Sequence, residues 1–104
     1  MAKDTTMMSA YRVVIIDAVG IGQIDTVKRL ISQGYDVNEQ TELGTSAVFA
    51  AVLRNDPEIL ILLIEAGAKV DVEDCFGRTP LSYAKKHGYT KIIKILEEKI
   101  FDLD

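Results

Sequence analysis

The sequence predicts an all-α solenoid, three helix–turn–helix pairs stacked side by side and joined by short, hairpin-like loops. Three observations carry that expectation. The chain repeats itself with a period of about 33 residues, and no gap is needed to hold the copies in register. A small alanine recurs at one place in every copy, Ala18, Ala51 and Ala84, where another backbone must approach closely. Between the two helices of each copy stands Gly22, Asn55 or Gly88, residue types that tolerate positive φ.

The register extends well beyond those positions. Gly77 falls on Gly44, Thr79 on Ser46, Pro80 on Ala47 and Leu81 on Val48. Ile92-Ile93 falls on Ile59-Leu60, and Leu96 on Leu63 and then on Leu30. Gly67 falls on Gly34 and Val70 on Val37. Isolated apolar matches arise by chance, but glycines, alanines and aliphatics matched together over three copies do not.

Taken in order, residues 1–8 are expected to form a loose tail and residues 9–104 a single domain, with copies near 9–40, 41–73 and 74–104. "RVVIIDAVGIGQID", Arg12 to Asp25, superficially suggests a strand running into a phosphate-binding glycine loop. A dinucleotide fingerprint needs a third glycine where this chain has Asp25, whose charge would face the pyrophosphate. The register instead makes Val13 to Val19 the first helix and Gly20-Ile21-Gly22 the turn after it. In the second copy Asp56 is the expected cap and Pro57 the first helical residue; in the third, Thr79 and Pro80 take those roles. Gly34 and Gly67 end the second helices of the first two copies. The connections "YDVNEQTELG" and "AKVDVEDCFG" are polar and rich in turn formers.

"GRTPLSYAKKHGYTKIIKIL" is similar to the ankyrin repeat, whose pattern opens the first helix with Thr-Pro-Leu-His. "LLIEAGAKVDVED" and "GQIDTVKRLISQGYDVNEQ" resemble other parts of the same repeat, so the resemblance covers roughly residues 9–100. There are departures. Ser82 replaces the usual histidine, Ser46-Ala47-Val48 stands for Thr-Pro-Leu, and the first helix of copy one keeps only Ile15 and Ala18. Terminal copies of such arrays are expected to be atypical.

The resemblance implies a binding module without chemistry of its own, meeting a protein partner through its hairpin tips and the concave side of its first helices. Carried over by register, the tip positions are Gln40, Glu42, Leu43 and Thr45, then Glu73, Cys75, Phe76 and Arg78. The inner-helix ends are Gly20 and Ile21, Leu53 and Arg54, and Lys86 and His87. Leu43 and Phe76 share one tip position, and Leu53 and Ile21 are apolar where the scaffold has no need of it. Together they suggest an apolar strip bordered by Glu42, Glu73, Arg54 and Arg78.

Composition narrows the function further. The net charge of -4 argues against a protein that grips nucleic acid through phosphates. Residues 1–76 hold twelve acids against six bases, which makes a basic protein partner the expectation; the rest of the chain reverses the sign. No apolar run, Ile59 to Ile64 included, is long enough to span a membrane. A single cysteine, no signal peptide and an initiator methionine lead us to expect a complete, cytoplasmic small protein, monomeric or weakly dimeric. A structural unit or a piece of a longer array is the alternative. One histidine and one cysteine are too few for the usual zinc sites, and neither a metal nor a cofactor is expected. A cysteine–histidine hydrolase would need Cys75 and His87 within hydrogen-bond reach of each other, with an orienting group beside them. Ile61 is expected on the convex side, and Ile100, Phe101 and Leu103 are expected to seal the last copy.

Overall fold

The computed structural model describes residues 14–101. The expected tail, Val13 and Leu103 lie outside the described residues. Among these residues six helices follow in order: α1 (Val14–Gly20), α2 (Ile24–Ser32), α3 (Ala47–Leu53), α4 (Pro57–Glu65), α5 (Pro80–His87) and α6 (Thr90–Ile100). Among the described residues there is no strand, only an isolated antiparallel bridge between Gln40 and Ser46 at the base of the first hairpin. The inner helices α1, α3 and α5 pack in a row, and the outer helices α2, α4 and α6 form a second row behind them. The result is elongated, 47 × 29 × 24 Å.

The helices begin where local chemistry satisfies free N–H groups. Asp56 Oδ1 accepts from the backbone N–H of Ile59 (3.1 Å) with Pro57 opening α4. Thr79 and Ser82 form a reciprocal box: the N–H of Ser82 donates to Thr79 Oγ1 (3.1 Å), and the N–H of Thr79 donates to Ser82 Oγ (3.0 Å). Ser82, the departure from the family pattern, therefore closes the cap. In the second copy the weaker motif does the same work, since Ser46 Oγ accepts from the N–H of Phe49 (3.1 Å) and is buried. Asn55, at φ 56°, takes in the second turn the left-handed conformation that Gly22 and Gly88 take in the first and third.

Stacking then buries the apolar flanks. Ala51 and Ala84 are fully buried and Ala18 nearly so, letting neighbouring inner helices approach closely. Val27, Leu60, Leu63, Ile92 and Leu96 fill the space between the two rows. At the last copy Ile100 packs against the core, whereas Phe101 is 70% exposed, so Phe101 does not seal the array as the sequence led us to expect. Ile61 is exposed, as its register position implies.

The hairpins are tied to one another by backbone. The N–H of Cys75 donates to the carbonyl of Leu43 (2.9 Å), and Gln40 Nε2 donates to the carbonyls of Gly44 (2.7 Å) and Glu73 (3.3 Å). Within the second hairpin Asp74 is the organising group. Its Oδ1 accepts from the N–H groups of Phe76 and Arg78 (both 2.9 Å), and its Oδ2 meets Arg78 Nε at 2.7 Å. Burial pushes the Asp74 carboxyl pKa up. The N–H and guanidinium of Arg78 and the N–H of Phe76 together outweigh burial, holding it below its ordinary value.

Two predictions follow from these contacts. A Cβ on Gly44 (φ 83°) would sit 2.8 Å from the backbone of Asp74 and Cys75, whereas one on Gly77 (φ 77°) would meet nothing within 4 Å. Gly77→Ala should therefore cost only the left-handed strain, about 1–2 kcal/mol. Gly44→Ala, which also pushes two hairpins apart, should cost clearly more in denaturant melts. Ionised Asp74 stabilises the fold above its unfolded pKa of about 3.9, and that stability is lost as pH falls through the lower folded value. Asp74→Asn should lower the thermal midpoint at neutral pH and flatten the acid-side decline of the midpoint below about pH 4.

Candidate functional site

The residues at the ends of α1 and α3 frame an open groove. Ile16, Asp17, Gly20, Ile21, Thr45, Ala50 and Leu53 line it, and its volume is about 650 Å³. Ile21 and Leu53, side by side in the expected strip, are 63% and 42% exposed. They lie at the point where each inner helix gives way to its turn, so their side chains are no longer covered by the neighbouring copy. Of the sequence-expected site, the groove brings together Gly20, Ile21, Leu53 and Thr45.

The tips carry the other apolar pair, Leu43 at 58% exposure and Phe76 at 67%. Glu42, Glu73 and Cys75 are exposed beside them. Three of the expected contact residues turn out to be committed to the scaffold. Arg78 is held by Asp74, with its guanidinium carbon 5.3 Å from the Phe49 ring centroid and 5.4 Å from that of Phe76. Arg54 reaches back one copy, donating to the carbonyl of Gly20 (3.4 Å) and lying 3.5 Å from Asp56. A Cβ on Gly22 would collide with the Arg54 guanidinium. Gln40 bridges two hairpins, as described above.

The third copy offers a different surface. Lys86 and His87 are exposed at the end of α5. The His87 ring lies 4.2 Å from Tyr83 and 5.7 Å from Tyr89, and Tyr83 meets Phe49 edge-on at 5.7 Å. Tyr83 and Tyr89 were not among the expected site residues. The available signal was register: Tyr83 is the aromatic member of a series whose earlier members are Asp17 and Ala50. His87 is thus engaged by rings, while Cys75 stands exposed at a hairpin tip. Among the described residues no group of three or more His, Cys, Asp or Glu side chains is placed to hold a metal ion. No helix among them is long and apolar enough to cross a membrane.

Comparison with known proteins agrees with this architecture. A family model for ankyrin repeats, in three copies, matches residues 15–104. The chain is 32% identical to the potassium channel AKT1 of Arabidopsis thaliana over 78% of its own length and 10% of the channel's. It is 36% identical to putative ankyrin repeat protein L371 of Acanthamoeba polyphaga mimivirus over 70% of this chain and 10% of that one. With putative ankyrin repeat protein YahD of Escherichia coli (strain K12) it shares 31% identity over 72% of this chain and 40% of the relative. The chain therefore spans between a tenth and two-fifths of these curated relatives. Ankyrin repeats are in general protein–protein interaction modules and typically not enzymes. With its gapless register, its stacked helix pairs and the match along nearly its whole length, this chain belongs to the ankyrin-repeat family.

Proposed function

We propose that this chain acts as a small adaptor or inhibitor, masking a protein partner with the groove between its first two inner helices and the tips of its hairpins. The observation that carries the reading is the grouping of Ile21, Leu43, Leu53 and Phe76, all exposed, at helix ends and loop tips. Solvent-facing apolar groups collected at one edge of a repeat scaffold mark contact surfaces. Burying a side chain the size of Phe76 contributes on the order of 2 kcal/mol by area, enough to make it a leading anchor. The same reading includes a cytoplasmic setting, in keeping with a single unpaired cysteine, Cys75.

The basic partner expected from sequence rests on the acid excess of the first two copies. On the inner helices the acids reduce to one, Asp17. The others belong to outer helices and loops, with Glu42 and Glu73 at the tips. The total charge of the chain is thus a poor guide to the charge its concave side presents.

A pull-down comparing the wild type with a Leu43→Asp/Phe76→Asp double variant tests the reading. The variant should lose the captured partner while its thermal midpoint stays within about 4 °C, as exposed substitutions do. Undiminished capture would remove the tips from the binding surface, and a collapse in stability would place Phe76 in the scaffold instead.

A further inference from the structure

The inner helices change character along the array. At one register position the residues are Gly20, Leu53 and Lys86, at the next Ile21, Arg54 and His87, and three positions before Leu53 the series is Asp17, Ala50 and Tyr83. Copies one and two therefore meet in an apolar groove of about 650 Å³. Copy three continues the same line with a cationic, aromatic shelf: α5 contains no acid and ends in Lys85, Lys86 and His87. Lys85 is drawn towards Glu97 on α6 at 3.5 Å. Lys86 has no ion-pair partner among the described residues, and the rings of Tyr83 and His87 lie on the same helix. Asp17, on the groove wall, is already engaged within the fold.

We infer that this surface binds an extended acidic segment of another protein, with one bulky apolar side chain seated in the groove and carboxylates set against Lys86. The inference rests on the interaction reading above and gives its partner a chemistry. Packed helices lie about 8–10 Å apart, and an extended chain advances about 3.3 Å per residue. The groove straddles copies one and two, so a strand laid across the inner helices reaches Lys86 about three to five residues from its anchor. A lysine carried at that spacing would face Lys86 instead, and like charges brought together are penalised. Charge thus fixes which end of the segment lies over which copy.

The test uses labelled twelve-residue glycine–serine peptides in fluorescence anisotropy. One carries a phenylalanine with aspartates three and five residues away; the other carries lysines in place of the aspartates. The full chain should bind the acidic peptide at least tenfold more tightly than the lysine peptide, with affinity falling as salt rises. Leu53→Asp and Lys86→Glu should each weaken the acidic peptide about tenfold, Lys86→Ala less, and Lys86→Glu should reverse the preference between the two peptides. Circular dichroism melts confirm that each variant is folded. A lysine peptide bound as well as the acidic one, but still sensitive to Leu53→Asp, overturns the assigned charge while leaving the groove as a binding site. Binding of neither peptide overturns the inference, and the Leu43/Phe76 capture experiment then judges the interaction reading independently. The chain's own end, Phe101 followed by Asp102, Leu103 and Asp104, has the same alternation of apolar and acidic residues. Sedimentation of the full chain against one lacking residues 101–104 separates that source: self-association lost with those residues would make a second copy the occupant and overturn the inference.

Discussion

The middle copy holds the molecule together because its inner helix has neighbours on both flanks and behind it. Six of the seven residues of α3, Ala47 to Val52, are buried, five of them at 1% exposure or less and Ala50 at 6%. A helix apolar around its whole circumference cannot exist at a surface. It is stable here because α1 covers one flank, α5 the other and α4 the back. No single helix pair of this chain hides its own apolar flanks, which is why the copies fold as a stack. The departure of Ser46-Ala47-Val48 from the family's opening pattern follows from the same burial. Ser46 caps the helix from inside the core, and every residue after it meets a neighbour.

Stacking also determines how the proposed binding surface is displayed. The Cys75–Leu43 backbone bond and the close approach at Gly44 lock successive hairpins together. Leu43 and Phe76 therefore project from connected backbones, not from independent loops. A partner meeting these tips has less loop ordering to impose, which lowers the entropic cost of association. Arg78 serves the same end by holding the ring of Phe76 from below while remaining paired with Asp74.

Much of this was legible in the sequence because it follows from local chemistry repeated in register. The caps at Asp56 and Thr79, the left-handed Asn55 and the exposed Leu43 and Phe76 all needed only residue type and position. What escaped was chemistry made between copies. Nothing local marks Arg54 as reaching back to Gly20, or Arg78 as lying between two phenylalanines; both look like solvent-facing charges until the neighbouring copy is in place. Phe101 failed in the opposite sense, because an apolar residue at the end of a helix was expected to find cover that the terminal turn does not provide. The aromatic cluster of Tyr83, His87 and Tyr89 was missed because it joins α5 to the turn that follows it, where Tyr89 precedes α6.

Position in the array also explains why charge gathers where it does. Ser82 and Lys85 occupy in copy three the register positions that Phe49 and Val52 fill in copy two. Phe49 and Val52 are buried, whereas Ser82 and Lys85 are exposed. Among the described residues no further helix pair lies against copy three, so these positions are released from the demand for apolar side chains, and Lys85 with Glu97 makes a polar closing contact there. The inner helix that tolerates Lys85 can also carry Lys86 and His87. In copy one the inner helix ends in Gly20, which leaves the groove open instead. The row of inner helices thus carries charge on copy three where copies one and two meet in an apolar groove, and the proposed ligand crossing the row must match both.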